Sequence, residues 1–151
     1  MVRKNRAVDH VNFEELKQHL GKSRAATEFG FELTASKQGH AVVRLKVEDR
    51  HRQIHGIVHG GILAALADTA SGMATYMSCP RGTRVATIEL KINFLEAVDG
   101  GNVLASARVV RIGKHIAVVD CDLRENRRLV AKSLATFFVG VPKKNRNKPR
   151  R

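Results

Sequence analysis

The order of apolar and polar residues divides the chain into blocks of two different periods. From Asn12 to Leu20, Phe13, Leu16 and Leu20 recur at steps of three and four, the spacing of one helical face. Asn12 or Asp9 is placed to cap this helix, and Gly21 to stop it. Phe29 to Ala35 and His40 to Val47 read as strands. In the second, Ala41, Val43, Leu45 and Val47 alternate with Val42, Arg44 and Lys46, and Lys37-Gln38-Gly39 predicts the turn of a hairpin. His51 to Val58 is loop-like and rich in His and Gly. Gly60 to Met77 follows as a helix of small and apolar residues that ends before Pro80.

Four alternating segments come next: Arg84 to Leu95, Val103 to Ile112, His115 to Leu123 and Leu129 to Val139. In the first, Val85, Thr87, Glu89, Lys91 and Asn93 share one parity, and Ala86, Ile88, Leu90, Ile92 and Phe94 the other. Asp99-Gly100-Gly101-Asn102, Gly113-Lys114 and Arg124 to Arg127 separate the four, so they are expected to be antiparallel neighbours. The long helix is apolar almost all round and must be surrounded. One curved antiparallel sheet wrapped round a central helix, an α+β architecture, meets both demands. Its small residues, Ala64, Ala67, Ala70 and Gly72 among them, allow close approach. Such a sheet leaves an edge strand, which favours a dimer with a continuous sheet.

Composition refines this picture. A chain of 151 residues suits one domain, with a single core of sufficient size. The Gly60–Cys79 run is long enough to span a bilayer, but it carries Asp68 at its middle, where a carboxylate is expensive in lipid; a buried helix is expected, with no membrane span. Cys79 and Cys121 form no metal-type or redox pair by spacing, so reduced thiols in a cytoplasmic chain are expected. The net charge of +13 is concentrated at the ends: Arg3, Lys4 and Arg6 at one, and Lys143, Lys144, Arg146, Lys148, Arg150 and Arg151 at the other. The expected organisation is a basic tail over 1–11, a domain over 12–140 and a basic tail over 141–151. The tails aid solubility, or attract nucleic acid or an anionic surface; no aromatic residue is interleaved with their charges for base stacking.

Asp68 is the chemical oddity. It is the only charged residue between Gly60 and Cys79, and its neighbours one turn away, Ala64 and Gly72, cannot pair with it. Such a carboxylate needs a partner from outside its helix. His59-Gly60-Gly61 opens the same helix. Its glycines admit a ligand close to the backbone, and free amides there favour negative charge, including an oxyanion. Gly60 and Asp68 are eight residues apart, about 12 Å along the axis. That separation prevents one subunit from using both on one atom, whereas an antiparallel second copy brings its Asp68 beside this Gly60. His51, His55 and His59 find no further ligand on the helix at metal spacing, so no metal is expected. His115, Asp120 and Asp122 read as solvent-facing strand positions, and Cys121, flanked by two acids, as a poor nucleophile.

Gln53-Ile54-His55-Gly56-Ile57-Val58-His59-Gly60-Gly61 followed by Leu66-Ala67-Asp68-Thr69-Ala70 resembles the signature of hotdog-fold acyl-CoA thioesterases of the phenylacetic-acid-degradation type. The segment Ala86 to Leu95 and the run Thr136-Phe137-Phe138-Val139 are similar to later strands of that family. The resemblance covers Phe29 to Val139 and leaves out the basic tails. It implies an acyl-CoA substrate, no cofactor, and a homodimer or homotetramer whose active sites are shared between subunits. It implies that Asp68 is the general base or nucleophile, that the Gly60 amide polarises the thioester carbonyl, and that His59 supports the pocket. Gln53 would position substrate or water, and Thr87 would hold the attacking water. Gly61 would border the substrate, and Gly113 and Lys114 would lie near the CoA phosphates. Two other classes compete with the hydrolase. One is a hotdog dehydratase acting on hydroxyacyl thioesters. The other is a non-catalytic acyl-CoA-binding or nucleic-acid-associated protein.

Overall fold

The computed structural model describes residues 9–140; the expected basic tails, apart from residues 9–11, lie outside the described residues. Helix α1 (Phe13–Gly21) is capped by Asn12, whose side chain takes the Glu15 amide while Glu15 takes the Asn12 amide. Two orphan donors are satisfied reciprocally in this way. The chain leaves α1 at Lys22 in the right-handed region, so Gly21 is the last helical residue and not a left-handed stop. A second short helix that the periodicity did not reveal, α2 (Arg24–Phe29), follows at once. Ser23 caps it, and Gly30 closes it at φ 71°. It takes Phe29 out of the first strand. Six residues are too few to show a helical period, and only the flanking Ser and Gly marked this helix.

Strands β1 (Phe31–Lys37) and β2 (His40–Lys46) form the expected hairpin. A 3-10 turn at Asp49–His51 and a loop lead to α3 (Gly60–Met77). Strands β3 (Val85–Phe94), β4 (Asn102–Ile112), β5 (Ile116–Glu125) and β6 (Arg128–Val139) complete one antiparallel sheet in the order β1-β2-β4-β5-β6-β3. The expectation that the last four strands are consecutive neighbours therefore fails between β3 and β4. β3 pairs with β6, and β4 with β2. The connection over residues 95–101 is a crossover, not a turn. It buries Val98, whose carbonyl accepts the Val58 amide, and Gly101 accepts the Val47 amide, tying the crossover to the segments before α3.

The sheet curls round α3. Leu63, Leu66, Ala67, Ala70 and Ala74 of the helix join Val43, Leu45, Ala105, Ala107, Val119 and Ala135 of the strands in one buried cluster. Among the described residues no helix is long and apolar enough to cross a membrane.

An irregularity in β3 decides which way Thr87 points. Val85 and Thr87 lie opposite Val139 and Phe137, but the register slips at Ile88, after which Leu90, Ile92 and Phe94 lie opposite Ala135, Ser133 and Ala131. All five of those β6 partners are buried. The inward face is thus carried by odd positions before the bulge and by even positions after it. Strict alternation would set Thr87 on the face of Glu89 and Lys91, away from the helix. The bulge turns it inward. β3 is also an open edge, with Ile88 and Phe94, and Leu95 just past its end, each more than half exposed.

Leu66 is fully buried at the middle of the cluster. Leu66→Ala is expected to cost about 2–5 kcal/mol of unfolding free energy, read as a lower urea midpoint at unchanged slope.

Candidate functional site

The start of α3 is held open by a histidine. His59 is the N-cap, and its Nδ1 accepts the Gly61 amide at 2.8 Å. A Cβ on Gly61 would lie 2.9 Å from that nitrogen, so the cap itself requires glycine there. The Gly61 amide is thereby engaged. The Gly60 amide donates to no acceptor among the described residues. Gly60 is also close to Phe94, whose Cζ would be 3.1 Å from an added Cβ.

The loop ahead of α3 presents Gln53. Its backbone amide donates to the Ile57 carbonyl at 2.8 Å and its carbonyl accepts the Gly56 amide at 2.9 Å, with Gly56 at φ 82°. The Gln53 Oε1 takes the His55 amide at 3.2 Å, which leaves its side-chain NH₂ to donate elsewhere. Gln53 and Gly60 border two adjoining hollows, one of about 300 Å³ against Phe94 and Val98 and one of about 460 Å³ with Arg52 and His59. The amide of Gly60 and the side chain of Gln53 thus form one donor-rich end.

Asp68 stands two turns further along α3, half-buried, with one partner: the Thr87 hydroxyl donates to its Oδ1 at 2.7 Å. No cation pairs with it among the described residues. Burial raises its pKa above the usual 3.8, and the Thr87 hydrogen bond pulls the other way. A carboxylate made more basic by desolvation and held by one hydroxyl is suited to take a proton or to attack. Asp68 and Thr87 open into a cavity of about 450 Å³ that continues past Met73, Tyr76 and Phe137.

The predicted residues therefore fall into three groups. Asp68 and Thr87 meet directly. Gln53, His59, Gly60 and Gly61 gather at the start of α3. Gly113 and Lys114 lie apart, in a hollow of about 370 Å³ with Cys79 and His115. Tyr76 and Met73 were missed. Tyr76 follows Asp68 and Gly72 at helical steps of four, a spacing that marks it as sharing their face. Cys121 is fully buried, and burial first and Asp122 second push its thiol up to about 12, which leaves it inert. Among the described residues, no three of His, Cys, Asp and Glu are grouped to hold a metal ion.

One curved antiparallel sheet closed round a long helix is the hotdog fold, and here that helix carries a carboxylate with no cation partner among the described residues. The chain belongs to the thioesterase superfamily, whose model matches residues 55–132. A 1,4-dihydroxy-2-naphthoyl-CoA hydrolase of Listeria monocytogenes is 30% identical over 76% of this chain and 94% of its own length. The solved thioesterase HI1161 of Haemophilus influenzae is 28% identical, with a TM-score of 0.81 over 91% of this chain and 96% of that one. The E. coli PaaI protein, from the phenylacetic acid degradation operon, shares the fold at 24% identity, with a TM-score of 0.80 over 87% of this chain and 94% of that one.

The raised pKa of Asp68 has a consequence for stability. The folded chain holds this proton more tightly than the unfolded chain. The resulting stabilisation is complete below the ordinary carboxylate range and is lost as pH rises through the folded value. At neutral pH the ionised group is a burden on the fold. Asp68→Asn is therefore expected to melt above the parent at pH 7, with the gap narrowing towards pH 4, as measured by differential scanning calorimetry.

Proposed function

We propose that this protein hydrolyses acyl-CoA thioesters to a carboxylic acid and free CoA, at sites each built from two copies of the chain. The observation that carries this reading is Asp68: a desolvated carboxylate with a hydroxyl partner and no cation partner among the described residues, in a thioesterase-superfamily chain. A thioester needs little activation, so a base and an oxyanion donor suffice. Asp68 takes a proton from water as its oxygen adds to the thioester carbon, or adds directly to that carbon. Thr87 holds the water or the carboxylate in place. The carbonyl oxygen, as it gains charge, is met by the Gly60 amide of the second copy and by Gln53. Collapse of the oxyanion breaks the C–S bond: on the first route the CoA sulfur takes up the proton that Asp68 removed from water and the acid is released, and on the second CoA leaves as the thiolate and water then hydrolyses the acyl–Asp68 anhydride to the acid. The Gly113 amide is held by the Ile116 carbonyl at 2.8 Å, so the turn there offers the Lys114 cation to the CoA phosphates.

Two features support the second copy. The donor end and the carboxylate end are about 12 Å apart along α3, too far for one carbonyl to reach both. β3 is an open edge with Thr87 towards one end and Phe94, against Gly60, at the other. Antiparallel pairing of two β3 strands about a two-fold axis near Leu90 and Lys91 would set Thr87 of one copy opposite Phe94 of its partner. The donor end of one chain then faces the carboxylate end of the other.

Thiol release from short, medium, long and aromatic acyl-CoAs tests the reaction, and Asp68→Ala is expected to lower kcat by about 10²–10⁴-fold. Mixing tests the sharing. Asp68→Ala and Gln53→Ala are each expected to be impaired alone. Refolded together they are expected to recover about a quarter of parental activity, because half the dimers carry one intact site of two. Mixtures no more active than the sum of their parts would place both groups in one chain's site.

A further inference from the structure

His19 of α1 stacks on Tyr76 of α3, with ring centroids 4.4 Å apart and planes 14° from parallel. Both rings border two cavities. On one side lies the space of about 450 Å³ that begins at Asp68. On the other lies a second space of about 240 Å³, edged by Glu15, Gln18, Lys22 and Arg81. Tyr76 is eight residues beyond Asp68, about 12 Å along the helix. The stacked pair is thus a partition between the far end of the Asp68 cavity and polar ground.

The partition is held firmly. Arg81, just past α3, reaches Asp9 at 2.9 Å and Glu15 at 2.5 Å, and its backbone amide donates to the Asp9 carbonyl at 2.8 Å. Glu15 is the capping-box partner of Asn12 in the first turn of α1, so one arginine ties the helix that bears His19 to the end of the helix that bears Tyr76. Burial first, and the charge of Lys22 second, lower the pKa of His19, which favours the neutral ring that stacks on an aromatic neighbour.

We propose that the His19–Tyr76 stack is the stop that sets acyl-chain length at the Asp68 site. The site accepts acyl groups that end within two helical turns of the carboxylate and rejects longer ones. The proposal rests on the thioesterase reading of Asp68. A longer chain has to part the rings and push methylenes among Glu15, Lys22 and Arg81, displacing the water that solvates them. Removing one ring joins the two spaces and opens a way out.

The test compares the parent with His19→Ala, His19→Phe and Tyr76→Leu, each checked for a parental melting transition. Two quantities are read: kcat/KM for hexanoyl-CoA and dodecanoyl-CoA, and calorimetric binding of hexanoate and dodecanoate. The parent is expected to favour the six-carbon substrate. His19→Ala and Tyr76→Leu are expected to raise the dodecanoyl-to-hexanoyl ratio by about tenfold or more, through KM, and to gain dodecanoate binding. His19→Phe restores a flat ring and is expected to keep the parental ratio. If hydrolysis proceeds and neither ratio nor binding shifts in folded variants, the stop is wrong and the thioesterase reading survives. If nothing is hydrolysed but dodecanoate binding appears only on removing a ring, the stop survives and the thioesterase reading falls. If neither is seen, both fall.

Discussion

Burying one carboxylate on a helix that offers it no partner is the constraint around which this molecule is arranged. α3 is built from small and apolar residues so that a curved sheet can close on it, and every position near Asp68 on its own helix is silent towards charge. Among the described residues the one hydrogen bond to its carboxylate comes from across the fold, from Thr87. Desolvation outweighs that contact, so the group is left more basic than a free aspartate. The same arrangement costs stability at neutral pH and, in the proposed reaction, supplies the base. A fold optimised for stability alone would place alanine at this position.

The bulge in β3 is what makes the contact geometrically available. Had the strand alternated regularly, Ile88 would face the helix and Thr87 would face away. One extra residue reverses the faces, bringing a hydroxyl to the carboxylate while Leu90, Ile92 and Phe94 still face inward. The same strand is the open edge of the sheet, and its far end lies against Gly60. Edge, hydroxyl and the Gly60 amide are therefore linked through one element, so the proposed pairing of two copies along β3 would bear on chemistry as well as on assembly.

Much of this was legible in the sequence where periodicity is strong. The limits of α3, the β1–β2 hairpin and the turns around β5 follow from alternation and from Gly, Asn and Pro placement, and the wrapped sheet follows from a helix apolar all round. Asp68 was conspicuous because a lone charge in such a run is costly. Four things were hidden. α2 is too short to show a period. The β3–β6 pairing depends on a crossover whose anchors, Val58 to Val98 and Val47 to Gly101, are long-range hydrogen bonds that no local pattern records. The inward turn of Thr87 depends on a bulge, which alternation cannot register; only resemblance to a family singled that residue out. His19 became a cavity wall only when α1 docked on α3.

The most direct measurement of the central claim is the pH dependence of kcat/KM for hexanoyl-CoA, which follows the essential base of the free enzyme, compared between the parent and Thr87→Val. With Asp68 as the base, the parent is expected to show an acid limb above the ordinary carboxylate range, and Thr87→Val a limb displaced to still higher pH, because the hydroxyl that favours the charged form is gone. An acid limb that stays in place when the hydroxyl is removed would contradict that claim, and would show that the group titrating in the reaction is not Asp68.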